Sequence, residues 1–75
     1  MTERAAVYTI EVGGHLGPGY AAWFEGMTVR AAFAGAEPIT VLHGSLRDQA
    51  ALYGVLGKLQ ALNIPLRSLH RLGEA

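Results

Sequence analysis

The sequence predicts a small α+β domain of order β-β-β-α-β, with one helix packed on a four-stranded, mostly antiparallel sheet. Three observations predict it. Ser45 to Asn63 repeats its apolar residues with a helical period, three earlier stretches alternate as strands do, and glycine- and proline-rich turns separate them. Seventy-five residues are expected to make a single domain spanning 1–75.

Ala6, Tyr8, Ile10 and Val12 alternate with Val7, Thr9 and Glu11, which makes a half-buried first strand over Ala6–Val12. Gly13-Gly14-His15-Leu16-Gly17-Pro18-Gly19 then forces a loop. Tyr20 to Phe24 can add one helical turn, with Tyr20 and Trp23 on one side and Gly26 ending it. Met27, Val29, Ala31 and Phe33 define a second strand. Ala34-Gly35-Ala36-Glu37 turns the chain into a third, Pro38–His43, where a first-position proline loses one donor without damage. Leu66–Leu72, after Pro65, is the fourth.

In the helix, Leu52, Val55, Leu56, Leu59 and Leu62 form one apolar stripe. Ser45 is the expected N-cap, with Asp48 in the position of a capping-box acid. Asn63 tolerates the left-handed conformation that closes a helix, and Pro65 prevents continuation. On the opposite side lie Ala50, Gly54, Gly57 and Ala61, although each glycine in an exposed helix interior costs about 1 kcal/mol relative to alanine. Such a stripe is a tolerated surface, an interface that lets a second subunit's backbone or a ligand come close, or a contact within the chain.

A domain this small buries only about 60% of its unfolded surface. Half its residues are apolar, 16% are charged and the mean hydropathy is +0.24, so a homo-oligomer, with a dimer favoured, is the economical expectation. The absence of cysteine excludes disulfides and thiolate metal sites and suits a reducing cytosol. Six basic residues balance six acidic ones with no basic run, which argues against a nucleic-acid partner. No apolar run approaches the roughly 20 residues of a membrane span, and Met1-Thr2-Glu3-Arg4 opens no signal peptide. The expected location is the cytoplasm.

Few residues carry chemistry. His15, His43 and His70 would lie toward one end of the sheet if the fourth strand runs as the third does, and three imidazoles can hold a metal with one open position. Their spacing matches no metal motif, however, so no metal or other cofactor is expected and surface or loop-capping roles are the simpler reading. Glu11, Glu25, Glu37 and Asp48 form no recognisable dyad, and the glycine loop lacks the Gly-Lys-Ser/Thr of a phosphate loop. Tyr20, Trp23 and Phe24, with Gln49 and Tyr53 near the helix start, are the candidate binding residues, because rigid amphipathic aromatics dominate contact surfaces. A lid packed on the chain's own core is the more frequent reason for such aromatics in so small a domain.

Gly14-His15-Leu16, Trp23-Phe24-x-Gly26 before an alternating strand, Asp48-Gln49-Ala50-Ala51-Leu52-x-Gly54-x-Leu56 and Asn63-Ile64-Pro65-Leu66-x-Ser68 together resemble a widespread family of short bacterial proteins, usually described as hypothetical. The resemblance covers about the whole chain, and its helix motif is the most specific part. Trp23, Asp48, Gln49 and Gly54 match the pattern. Tyr20 stands where the family often has a second tryptophan and Tyr53 where it often has histidine, while His43 and His70 have no counterpart. The resemblance implies this fold and a bacterial cytosol, with no substrate, cofactor or reaction. The expected function is a non-catalytic, oligomeric binding module. Two alternatives are an enzyme, using a small ligand or a metal in a pocket between the Trp23 loop and the helix start, and an accessory subunit of a larger protein.

Overall fold

The computed structural model describes residues 5–24 and 26–74; the Met1-Thr2-Glu3-Arg4 opening and Glu25 lie outside the described residues. Strand β1 (Ala6–Gly13) is followed by a 3-10 turn (Pro18–Trp23), then β2 (Met27–Ala34), β3 (Glu37–Leu46), helix α1 (Gln49–Ala61) and β4 (Leu66–Glu74). The β-β-β-α-β order and the α+β class are as the sequence predicts. All three strand pairings are antiparallel, and the spatial order is β2-β3-β1-β4. Strands β3 and β4 therefore run the same way on either side of β1, and α1 carries the chain across it as a split βαβ unit. With the 3-10 turn between β1 and β2, this is the ferredoxin-like arrangement, its first helix reduced to six residues. Gly17, Gly19 and Gly26 explain the reduction, since they leave too short a stretch to repay helix nucleation.

One face of the sheet holds the core. Ala6, Tyr8, Ile10 and Val12 of β1, Leu42 and Leu46 of β3 and Met27 of β2 pack with Phe24 and with Leu52, Val55 and Leu59 of α1. Because β1 is central, Ile10 and Val12 are completely covered. Gly44 shares this face, and the backbone entering β2 passes directly over it. A Cβ there would overlap the Gly26 carbonyl oxygen and lie 2.9 Å from the Met27 Cα.

The helix begins later than expected. Ser45 is not the N-cap, because β3 continues through it: Ser45 pairs with Val7, and Leu46 pairs with Ala6 and is buried. Two more sheet pairs outweigh another helical turn. The N-cap is Asp48, extended at φ −162°, whose Oδ1 accepts the Ala51 N–H at 2.8 Å. The C-terminus follows expectation. Asn63 is left-handed at φ 58°, its N–H donates to the Gln60 carbonyl at 3.0 Å, and the Ile64 N–H donates to Leu59 at 2.9 Å. This pair of bonds is a Schellman motif, with Ile64 packed back on the core that holds Leu59.

The opposite sheet face carries Val7, Thr9 and Glu11 of β1, Ile39, Val41, His43 and Ser45 of β3, Thr28, Arg30 and Ala32 of β2, and Ser68 and His70 of β4. No described helix lies over it. Its Gly13 end is closed differently: Arg67 of β4 reaches Glu37 of β3 at 2.7 Å across the end of β1, and a Cβ on Gly13 would meet the Pro65 ring at 2.9 Å. Ile39, level with Gly13 on this face, is buried.

Candidate functional site

The 3-10 turn repeats every three residues, which brings Tyr20 and Trp23 together in an edge-on ring contact at 5.9 Å. Trp23 is 45% exposed, Tyr20 leans on the core, and Phe24, at 1%, lies within it. Phe24 thus serves packing, and only its two neighbours offer aromatic surface. The turn is tied to α1 well past the helix start, where the Lys58 Nζ donates to the Trp23 carbonyl at 2.5 Å. Gln49 and Tyr53 are exposed on the first turns of α1, and Tyr53 makes no ring contact with the Tyr20–Trp23 pair. The five candidate binding residues therefore do not converge on one described pocket.

Ala50, Gly54, Gly57 and Ala61 all face outward, and a Cβ on Gly54 or Gly57 would meet nothing within 4 Å. Among the described residues nothing packs against the two glycines of the stripe.

The glycine loop uses its own amides. Gly13 and Gly14 donate to the carbonyls of Pro65 and Pro38, both at 2.9 Å, and Leu16 donates to the Thr40 Oγ1 at 3.1 Å. Thr40, buried beneath the loop, donates in turn to the Gly14 carbonyl at 2.7 Å. With these three amides committed, the loop is tied down as a lid on the sheet end. Asp48 caps the helix and Glu37 holds Arg67, so these two carboxylates serve structural contacts.

The histidines divide. The His15 Nε2 lies 2.8 Å from the Ala32 carbonyl, and its ring stands edge-on to Phe33 at 5.0 Å, which ties the loop to β2. His43 and His70 both pair with Thr9, one from each neighbouring strand, so Thr28, His43, Thr9 and His70 form a row across all four strands on the open face. The His43 Nδ1 is 2.9 Å from the Thr9 Oγ1. Among the described residues no three His, Asp or Glu side chains are grouped to hold a metal. The sequence could not reveal the role of Thr9, because pairing register is not a local property.

A further feature was invisible in the sequence. Leu56, Leu59, Gln60, Asn63, Ile64, Pro65 and Leu66 line a cleft of about 320 Å³ at the C-terminal end of α1, the far end from Gln49. Beside it, edge strand β4 exposes Leu66 at 50%, Leu69 at 38% and Leu72 at 58%. The strand order, which puts β4 at the sheet edge, leaves these leucines on the surface.

Compared with known proteins, residues 7–70 match a domain family described as a domain of unknown function, DUF8691. The chain belongs to the DUF8691 family. The DUF8691 match begins in β1 and ends at His70, so it spans the aromatic turn, the helix, the cleft and the histidine row. No curated protein and no solved structure matches the chain.

Proposed function

We propose that the chain is a non-catalytic interaction module that works as a homodimer joined along β4. The observation that carries this reading is a nine-residue edge strand bearing three exposed leucines next to an apolar cleft. An edge strand presents a row of unpaired backbone groups, and proteins that stay alone blunt such edges with charge, bulges or short length. Here β4 has two irregularities in its pairing with β1, at the Val7/Tyr8 and Glu11/Val12 steps, and Arg67 is held by Glu37, yet the strand stays long and presents Leu66 and Leu69 on the cleft side.

A second copy is the occupant that suits it. A strand can pair antiparallel with its own copy about a two-fold axis, which makes a closed and self-complementary contact. Zero formal net charge opposes no such approach, and the low charge content leaves apolar surface to cover. The small stripe Ala50, Gly54, Gly57 and Ala61 is the rival interface on another side of the molecule.

Light scattering after size-exclusion chromatography, over a hundredfold dilution, tests the reading. A dimer that Leu69→Lys converts to a monomer with unchanged helical circular dichroism supports it. A wild-type monomer throughout would remove self-association and leave β4 as an edge for a strand from another protein.

A further inference from the structure

We propose that the two-fold axis of the β4-joined dimer passes beside Ser68, so that the partner's Leu69 stands opposite Leu66 and closes the cleft at the C-terminal end of α1. The inference rests on the dimer proposed above and adds its register and the occupant of the cleft. Leu66 both lines the cleft and opens β4, so the cleft is continuous with the edge that a second copy would extend.

Residues three apart on a regular strand face opposite ways. The register shift at the Glu11/Val12 step cancels this in β4. Leu66 is the partner of Val12 and Leu69 of Ile10, both core-face residues, so the two leucines share the side that carries α1. Arg71, the partner of Tyr8, is on that side too, and Ser68, the partner of Glu11, is on the other. A two-fold axis normal to the sheet keeps both helices on one side, and it sets core-face residues against core-face residues. Counted in steps along β1, an axis at Leu69 sets Leu66 against the partner's Arg71, and an axis at His70 sets Leu69 against the partner's Arg71. An axis at Ser68 sets Leu66 against the partner's Leu69 and, by symmetry, Leu69 against the partner's Leu66. Their Cβ atoms then lie about 4.5–5.5 Å apart, the spacing at which cross-strand apolar pairs stabilise a sheet.

Ser68 supplies an independent observation. Among the described residues its Oγ is a buried side-chain oxygen with no hydrogen-bond partner, a state that calls for an explanation in a folded chain. At the axis two Ser68 hydroxyls lie on the same face of neighbouring strands, and a turn about χ1 lets one donate to the other. Arg67, next to the axis, is drawn back across its own sheet by Glu37 at 2.7 Å, which keeps its charge out of the leucine contact. The partner's Leu69 brings an aliphatic side chain to a cleft whose walls include Leu56, Leu59, Ile64 and Pro65, and its burial there removes apolar surface of both copies from water.

The chain has no cysteine, so single introduced cysteines report the register without background. Ser68→Cys, Leu69→Cys and His70→Cys are oxidised at a concentration where light scattering gives a dimer. A disulfide needs Cα atoms about 4.4–6.8 Å apart, so Ser68→Cys should link to its own copy roughly tenfold faster than the other two, or more. Isotope-filtered NMR on a mixture of labelled and unlabelled wild-type chains is the second readout. It should show the Leu69 methyls of one copy in contact with Leu66 and with Leu56 or Ile64 of the other. A dimer in which Leu69→Cys or His70→Cys links as fast as Ser68→Cys, or in which those methyl contacts are missing, overturns the register and leaves the dimer standing. A wild-type chain that is monomeric throughout overturns both.

Discussion

At the scale of single residues, two glycines separate what backbone geometry demands from what it tolerates. Gly44 has backbone where a Cβ would go, and backbone cannot rotate away as a side-chain tip can. Gly44→Ala should therefore destabilise by about 3 kcal/mol or more, the upper range for overpacking. Gly54 opens on space, so Gly54→Ala should gain about 1 kcal/mol of helix propensity. Urea denaturation of both variants checks the contrast, and equal effects would mean that something covers the helix. Capping is decided in the same way. Asp48→Ala should cost about 1 kcal/mol, and Ser45→Ala should stay within about 0.5 kcal/mol as a surface change. Both residue types can cap, so the sequence around Ser45 and Asp48 permitted either start; the pairing of Leu46 with Ala6 chose. Asn63 was legible because its left-handed role is a property of the residue itself.

At the scale of elements, the helical stripe was readable and the neighbours of each strand were not. Leu52, Val55 and Leu59 are buried, whereas Leu56, on the same stripe, is only partly covered and lines the cleft. Leu59→Ala should lose about 2 to 5 kcal/mol as a core truncation. Leu56→Ala should lose clearly less in a monomer, and an equal loss measured at high protein concentration would show that a partner fills the cleft. Periodicity reports which side of an element is apolar, and it is blind to which strand ends at an edge. That is why β4 and its leucines looked like an ordinary fourth strand until the order β2-β3-β1-β4 placed them outside. The histidine row has the same origin, since register alone aligns Thr9 with His43 and His70.

At the scale of the whole molecule, two surfaces compete to explain the apolar excess of the composition, and they respond oppositely to substitution. If β4 is the interface, Gly54→Leu leaves the assembled mass unchanged, because the glycine stripe faces solvent in the dimer, while Leu69→Lys places a charge in the contact and yields monomer. If helices meet through Ala50, Gly54, Gly57 and Ala61, Gly54→Leu forces the helices apart and Leu69→Lys is harmless. Stability tracks the same choice. Diluting a dimer a hundredfold takes away about 2.7 kcal/mol of association free energy, a large part of what a domain this small has to spare. The melting temperature of the wild type should therefore fall on dilution, that of Leu69→Lys should be lower and independent of concentration, and that of Gly54→Leu should follow the wild type. Differential scanning fluorimetry across the concentration series, alongside light scattering, distinguishes the two. A melting temperature that is constant for all three proteins would mean that neither surface joins copies of the chain, and β4 would then await a different partner.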